Sequence, residues 1–238
     1  MAAILAADAE FMIHSLTKVN IFRGKVFLTT THVSLLIVCA GMIVGALVLR
    51  CKLKDTDSPG QVQNIVEMVV ESLDGFVQST LGRYGARYQN YIATLFLFLL
   101  FCNLSGLLGL RPPTADYGVT LPLGVITFLL IQYNNIRWNK GKAFTDLFQP
   151  IPILFPINLI GELAVPFSLS LRLFGNVVSG TVIMALIYGL LERFAFFWPG
   201  VLHVYFDVFS GAIQTYVFCM LTLVFISQKI PKENNHEI

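Results

Sequence analysis

Five apolar stretches divide this sequence, and each approaches or exceeds the length that crosses a lipid bilayer. They cover residues 32–49, 91–110, 119–133, 156–191 and 201–227. A spanning helix needs about 20 apolar residues to cross roughly 30 Å of hydrocarbon. The chain is 55% hydrophobic and 13% charged, whereas a soluble domain is about 25% charged. The pattern predicts an all-α membrane protein with about five transmembrane helices, in one integral domain of residues 31–238 after an extramembrane segment of residues 1–30.

Residues 59–87, between the first two stretches, carry a different pattern. Apolar side chains such as Val66, Val69 and Leu73 recur at helical spacing, with acids such as Glu71 between them. An apolar stripe on a charged helix is typical of a segment that lies in the membrane interface. We predict an interfacial amphipathic helix here, with a small soluble helix as the alternative.

The last two stretches are too long for simple spans. Residues 156–191 would extend about 54 Å as one helix at roughly 1.5 Å per residue, so this helix must tilt strongly. Trp198-Pro199-Gly200 separates it from the fifth stretch, which predicts a tight turn. The C-terminal third is therefore predicted to be a hairpin of two long tilted helices, and their oblique packing favours a large curved partner.

Basic residues near the spans predict the orientation of the chain. The loop of residues 137–142 and the tail that contains Lys229 and Lys232 are basic, and cytoplasmic loops carry an excess of Lys and Arg. This places the C-terminus in the cytoplasm and, with five spans, the N-terminus outside. Lys18 and Arg23 near the N-terminus oppose this orientation mildly.

The fourth stretch carries a single arginine. Arg172 is the only charged side chain in residues 163–191, and a charge at a helix centre costs about 2.5–3.5 kcal/mol to insert. Its guanidinium keeps its proton, and Asn176 follows one turn later on the same face. We predict an ion-pathway site, with a structural ion pair or a side chain that reaches the interface as alternatives. Glu162, about 15 Å before Arg172 along the helix, is a candidate for lining a cytoplasmic cavity, or simply an acid near a helix end.

The fifth stretch carries a polar stripe. One helical face carries His203, Asp207, either Ser210 or Gly211, and Gln214. Asp207 is the only formal charge between Phe194 and Gln228. Carboxyl, imidazole and amide groups on one face can relay a proton or lend oxygens to a cation. Singly, each would more often be a packing residue, and His203 could sit at the interface. Together with Arg172 the stripe predicts a functional site.

Other kinds of chemistry have no motif here. The four cysteines form no CxxC pair, so neither a disulfide framework nor a metal site is predicted. No GxxxxGK[ST] nucleotide-binding motif occurs. The net charge of +2 is too small and too scattered to favour nucleic acid. We expect no bound cofactor and no nucleic-acid partner.

The segment PINLIGELAVPFSLSLRLFGNVVSG, followed by IQTYVFCMLTLVFIS, closely resembles the a subunit of bacterial F-type ATP synthases. RPPTADYGVTLPLG is similar to that family's segment between two spans. The resemblance covers roughly residues 30–230, and the LRLFGN run is its most specific part. It implies a non-catalytic stator subunit in the cell inner (plasma) membrane, beside a rotating ring of c subunits. The b-subunit peripheral stalk, other ATP synthase subunits and membrane lipid are the further partners that it implies.

The resemblance also implies roles for individual residues. The family's essential arginine matches Arg172, and its asparagine and glutamine match Asn176 and Gln214. Ions would enter one aqueous half-channel, bind a ring carboxylate, travel with the ring and leave through a second half-channel. Arg172 would stand between the two and lower the pKa of a passing carboxylate. Glu162 would line the inner half-channel, and the outer one would be lined by Asp207, His203, Gln214 and Asn103.

Three positions depart from the family pattern, so the path of the ion stays open. Thr181, Asn158 and Gly106 stand where relatives often carry ionisable residues. The sequence leaves the coupling ion open, because ion selectivity resides mainly in the ring. Protons are expected as the commoner coupling ion, with sodium as the alternative. A secondary transporter and a purely structural scaffold are the competing functions, although transporters usually show internal repeats and this sequence shows none.

Overall fold

Helices make up nearly all of the computed structural model, which describes residues 15–21, 24–53, 60–139, 152–191 and 198–230. The α-helices are α1 (Thr30–Lys52), α2 (Gln61–Leu81), α3 (Gln89–Leu104), α4 (Tyr117–Asn139), α5 (Phe155–Leu191), α6 (Trp198–His203) and α7 (Gly211–Lys229). A π-helical segment, Val204–Ser210, joins α6 to α7. Within these ranges, 5 helical segments are long and apolar enough to cross a membrane: Thr30–Lys52, Gln89–Leu108, Tyr117–Asn139, Phe155–Ile187 and Gly200–Lys229. The predicted all-α membrane class is confirmed.

A short antiparallel hairpin precedes α1. Strand β1 (Ser15–Ile21) pairs with β2 (Gly24–Thr29), and Asn20 stands opposite Lys25. Sequence patterning predicted only an extramembrane segment here, without assigning structure to it. The hairpin leads directly into α1, since Thr29 keeps an extended backbone and the helix begins at the next residue.

The helix α7 lies at the centre of the core. Helices α3 and α4 pack against it, and α4 also packs along α5. The buried core side chains come from α2, α3, α4, α5 and α7 and include Val77, Leu81, Ile92, Leu95, Leu99, Ile131, Leu169, Leu173, Phe218, Leu223 and Ile226. By contrast, α1 contacts α3 but leaves most of its apolar side chains exposed. Such a surface suits lipid or a partner helix.

The helix α5 is the longest element, with 37 residues and Pro166 inside it. At roughly 1.5 Å per residue it extends about 55 Å, well beyond the hydrocarbon thickness of about 30 Å. It approaches α4 very closely at Gly124, where an added Cβ would lie 2.6 Å from the carbonyl oxygen of Pro166. Because proline has no N–H, the carbonyl of Glu162 one turn earlier lacks its helical donor.

The connections differ from, or fall outside, the sequence expectations. The tight turn predicted at Trp198-Pro199-Gly200 is wrong: these residues form the first turn of α6. Proline is tolerated there because the first N–H groups of a helix have no helical acceptor. The basic residues Lys140, Lys142 and Lys232, used to predict the orientation, lie outside the described residues, so the orientation stays a prediction.

The amphipathic segment before α3 forms α2, from Gln61 to Leu81. Its C-terminal half packs against the core through Leu73 and Val77, which are 8% and 1% exposed. Its N-terminal half leaves Ile65 and Met68 exposed. The helix is therefore amphipathic as predicted in pattern, and its location in the membrane interface stays a prediction.

Candidate functional site

Arg172 lies on the free face of α5. The flanking core residues Leu169 and Leu173 are 2% and 0% exposed, whereas Arg172 is exposed. Among the residues that the structure describes, no carboxylate lies within ion-pair distance of the guanidinium, and no hydrogen bond reaches it. The guanidinium is therefore available to a group outside the described part of the chain.

Small and apolar side chains surround Arg172 on this face. The exposed residues of α5 near it are Gly161, Ala164, Phe167, Ser168, Leu171, Ser179 and Ile183. Small residues allow a neighbouring helix to approach closely. Lipid would leave the guanidinium unpaired in hydrocarbon, which is costly. This surface therefore fits a partner helix that carries an acidic group better than it fits lipid.

Contacts across the C-terminal hairpin fix the register between α5 and the chain that follows α6. Asn176 Nδ2 donates to Ser210 Oγ over 3.1 Å, and Ser210 Oγ donates back to Asn176 Oδ1 over 3.2 Å. An added Cβ at Gly180 would lie 3.7 Å from the Phe206 ring. The residue numbers rise on one side as they fall on the other, so the two segments run antiparallel.

This register places Gln214 level with Arg172. Arg172 precedes Asn176 by one helical turn, and Gln214 follows Ser210 by one turn, so both lie one turn in the same direction from the Asn176–Ser210 contact. Gln214 is 7% exposed, and its Nε2 has no hydrogen-bond partner within the described ranges. A buried amide donor without a partner is costly, which indicates that this level of the hairpin is adapted to a group outside the described residues.

His203 and Asp207 form a pair at the end of the hairpin where α6 begins. His203 Nδ1 and Asp207 Oδ2 are 2.6 Å apart, and the two side chains are 38% and 21% exposed. Asp207 belongs to the π-helical segment, and such segments are frequent at functional sites. Its carboxylate adjoins Gly106, where an added Cβ would lie 3.6 Å from Asp207 Cγ and 3.4 Å from Pro112 Cγ. We call His203, Asp207, Gly106 and Pro112 the Asp207 cluster.

Asn103 lies next to this cluster but is buried, with 4% of its surface exposed. Its Nδ2 donates to the Gly211 carbonyl over 3.0 Å and to Thr215 Oγ1 over 3.1 Å. Its Oδ1 accepts a hydrogen bond from Thr114 Oγ1 over 2.8 Å. The carboxamide thereby ties α3 to α7 and to the loop after α3.

Glu162 lies in a second polar region, at the end of the hairpin where α7 finishes. Its Oε1 pairs with Lys229 Nζ over 2.8 Å, and its Oε2 accepts from Gln132 Nε2 over 2.9 Å. These groups border a cavity of about 580 Å³ between α4, α5 and α7, which we call the Glu162 cavity. Its polar lining residues are Gln132, Asn158, Glu162, Gln228 and Lys229.

The two polar regions stand on opposite sides of Arg172 along the hairpin. Glu162 lies about 15 Å before Arg172 along α5. Asp207 lies on the other side, because it precedes Ser210, which contacts Asn176. The geometry therefore provides two separate polar regions and, between their levels, a cation that has no partner in the described part of the chain.

Several partners in these regions escaped the sequence analysis. Lys229 was used only for orientation, and Gln132 was not singled out, whereas Ser210 was included in the polar stripe as an alternative to Gly211. Lys229 and Glu162 are 67 residues apart in the chain, so no local spacing signals their pairing. Of the departures from the family pattern, Asn158 lines the Glu162 cavity. Thr181 Oγ1 donates to the Val178 carbonyl within its own helix.

Five candidate spans, two polar regions and an arginine that has no partner among the described residues are features of an ion-translocating membrane protein. No group of three or more His, Cys, Asp or Glu residues in the described ranges could hold a metal ion. Residues 31–227 match the family described as ATP synthase A chain. The chain therefore belongs to that family, as a stator ion-channel subunit of the Fo sector of bacterial F-type ATP synthase.

Individual relatives agree with the family match. The chain is 38% identical over 189 residues to "ATP synthase subunit a, sodium ion specific" of Propionigenium modestum, covering 72% of this chain and 64% of that protein. It is 38% identical over 192 residues to "ATP synthase subunit a" of Desulforamulus reducens, covering 78% of this chain and 73% of that protein. It is 35% identical to "ATP synthase subunit a" of Moorella thermoacetica, covering 88% and 94%. The secondary-transporter and scaffold hypotheses are thereby set aside.

Proposed function

We propose that this non-catalytic subunit contains two half-channels that pass protons to and from carboxylates on a ring of c subunits. Ion flow through the half-channels would turn the ring and so drive ATP synthesis in other subunits. The b-subunit peripheral stalk is a further partner, and the complex would lie in the cell inner (plasma) membrane. With the C-terminus in the cytoplasm, the Glu162 cavity beside Lys229 opens to the cytoplasm and the Asp207 cluster lies toward the outside.

The observation that carries this proposal is the exposed guanidinium of Arg172, which lies between the two polar regions and has no partner among the described residues. A ring carboxylate that reaches Arg172 would meet a permanent positive charge, which favours its ionised form and releases its ion. The same charge repels cations that would otherwise cross directly from one half-channel to the other. The insertion cost of the guanidinium is offset each time a carboxylate pairs with it.

On the outer side, the His203–Asp207 pair supplies an imidazole and a carboxylate that are joined by one hydrogen bond of 2.6 Å. Asn176 and Gln214 then present amides near the level of Arg172. Asn103, with its saturated carboxamide, acts as a positioning residue for this path. On the inner side, Glu162 offers a carboxylate at the cavity.

The coupling ion is tested by reconstituting the whole ATP synthase in liposomes. We expect ATP-driven proton uptake, read with a pH-sensitive dye, to proceed in sodium-free buffer, because the outer path is a relay of a histidine and a carboxylate. Two results together would contradict the proton assignment: ATP-driven uptake of radioactive sodium, and ATP hydrolysis that stops when sodium is removed. They would instead assign the sodium specificity that the name of the Propionigenium modestum relative states for that protein.

Replacing Asp207 with asparagine should slow ATP-driven pumping by at least about tenfold, because a positioned proton acceptor commonly contributes more than that. Asparagine is similar in volume, so the subunit should still assemble. Asp116→Asn is the matched control: Asp116 accepts a hydrogen bond from the Gly118 N–H over 2.8 Å, which asparagine can also accept. Pumping by Asp207→Asn at the wild-type rate would remove Asp207 from the pathway.

A further inference from the structure

Lys229 forms an ion pair with Glu162, the carboxylate of the Glu162 cavity. Its Nζ lies 2.8 Å from Glu162 Oε1, at side-chain exposures of 26% and 27%. Glu162 is the one carboxylate among the described residues that line this cavity. The position in which a soluble cation would bind this carboxylate is therefore already filled by an ammonium that belongs to the chain.

The backbone of Lys229 is held in place as well. The Lys229 carbonyl, in the last turn of α7, accepts a hydrogen bond from Asn139 Nδ2 of α4 over 3.2 Å. Asn139 Nδ2 also donates to Asn135 Oδ1 over 2.9 Å. A lysine at a helix C-terminus is further favoured by the helix dipole. Lys229 is thus fixed at both its main chain and its ammonium.

Other groups in the cavity would assist a cation at Glu162 if Lys229 were absent. Gln132 already approaches Glu162 Oε2 over 2.9 Å, and its carboxamide oxygen can turn toward a cation. Asn158 and Gln228 also line the cavity. Carboxylate and carboxamide oxygens are among the ligands that hard metal cations take.

We propose that Lys229 is a specificity-determining residue: a tethered cation that keeps soluble metal cations off Glu162 and leaves the cavity to protons. Protons can reach Glu162 along hydrogen-bonded water, whereas a sodium or potassium ion must displace the ammonium. This inference rests on the proposed role of the Glu162 cavity as the inner half-channel. It adds a residue and a mechanism of selection that the half-channel alone does not provide.

The test measures ATP-driven proton pumping in proteoliposomes whose ATP-hydrolysing sector faces the medium, so that added salt reaches the Glu162 cavity. Wild type should pump equally in about 100 mM sodium chloride and in choline chloride of the same ionic strength, which screens charges equally. Lys229→Met should be inhibited at least about twofold by sodium relative to choline, because a bare carboxylate is open to the metal ion. Lys229→Gln, which keeps a hydrogen-bond donor toward Glu162, should show the same inhibition and serves if the methionine variant fails to assemble.

Two further variants separate this mechanism from a structural role. Lys229→Arg keeps the positive charge and should remain insensitive to sodium. The double variant Glu162→Gln/Lys229→Met removes the bare carboxylate and should lose the sodium inhibition of the single variant. Equal pumping of Lys229→Met and Lys229→Gln in sodium and choline would overturn the proposal. Failure of the half-channel scheme itself would appear separately, as pumping by an Arg172 variant that lacks the charge.

Discussion

Replacement of Arg172 by leucine is expected to abolish ATP-driven ion pumping while the ATP synthase remains assembled. Leucine removes the permanent charge that Arg172 places between the levels of the Asp207 cluster and the Glu162 cavity, so a ring carboxylate would no longer be driven to release its ion. Loss of a positioned electrostatic group commonly costs a factor of about 100 or more. Assembly should persist, because Arg172 makes no ion pair or hydrogen bond within the described ranges. Dye-monitored pumping in proteoliposomes, with native gel electrophoresis for assembly, measures both outcomes.

Leu190→Ala is the matched control for this experiment. Leu190 lies on the same helix and is also exposed, at 84%, but it carries no charge and stands about five helical turns from Arg172, so its truncation should leave pumping largely intact. Arg172→Lys should not restore full activity, because an ammonium can lose its proton in an apolar setting whereas a guanidinium keeps it. Wild-type pumping by the assembled Arg172→Leu complex would contradict the proposed mechanism.

Replacement of Gly124 by alanine is expected to disrupt the packing of α4 on α5. The added methyl group would lie 2.6 Å from the Pro166 carbonyl oxygen and 3.3 Å from Ser170 Cβ. The first of these atoms belongs to the backbone, so the two helices must separate. Overpacking of this kind costs about 1–3 kcal/mol, and the shift would also displace Glu162 relative to Gln132. We expect a lower yield of assembled complex and a lower temperature of heat-induced aggregation, measured by fluorescence-detected size-exclusion chromatography.

Gly41→Ala provides the comparison for the packing prediction. Gly41 is also inside a spanning helix, α1, but an added Cβ there meets nothing within 4 Å. Alanine should be tolerated or slightly favourable at that position, because glycine is the weaker helix former. If Gly124→Ala and Gly41→Ala were equally stable, the close approach of α4 and α5 would be disproved.

Hydropathy and helical spacing were sufficient to predict the spanning helices and the shared helical face of His203 and Asp207. Four-residue spacing brings two side chains together on any helix, so that contact needs no tertiary information. The unusual length of α5 was likewise evident from the long apolar run of residues 156–191, and the helix in the structure has 37 residues. These are local properties, which a single sequence expresses directly.

Contacts between distant segments could not be predicted in the same way. The pairing of Glu162 with Lys229 depends on how α5 and α7 cross, and the burial of Asn103 depends on the packing of α3 on α7. Sequence analysis therefore expected Asn103 to line an open path, whereas the structure surrounds its carboxamide with protein donors and acceptors. The incorrect prediction of a tight turn at Trp198-Pro199-Gly200 has a local cause, since proline and glycine can also begin a helix.

A cryo-electron microscopy structure of the assembled ATP synthase tests the central claim most directly. We predict that the face of α5 carrying Arg172, Ser168 and Leu171 lies against the c-subunit ring. In at least one rotational state, the guanidinium should lie within about 4 Å of a ring carboxylate, the usual limit for an ion pair. A structure in which Arg172 faces lipid, or in which the ring contacts a different face of α5, would contradict the account.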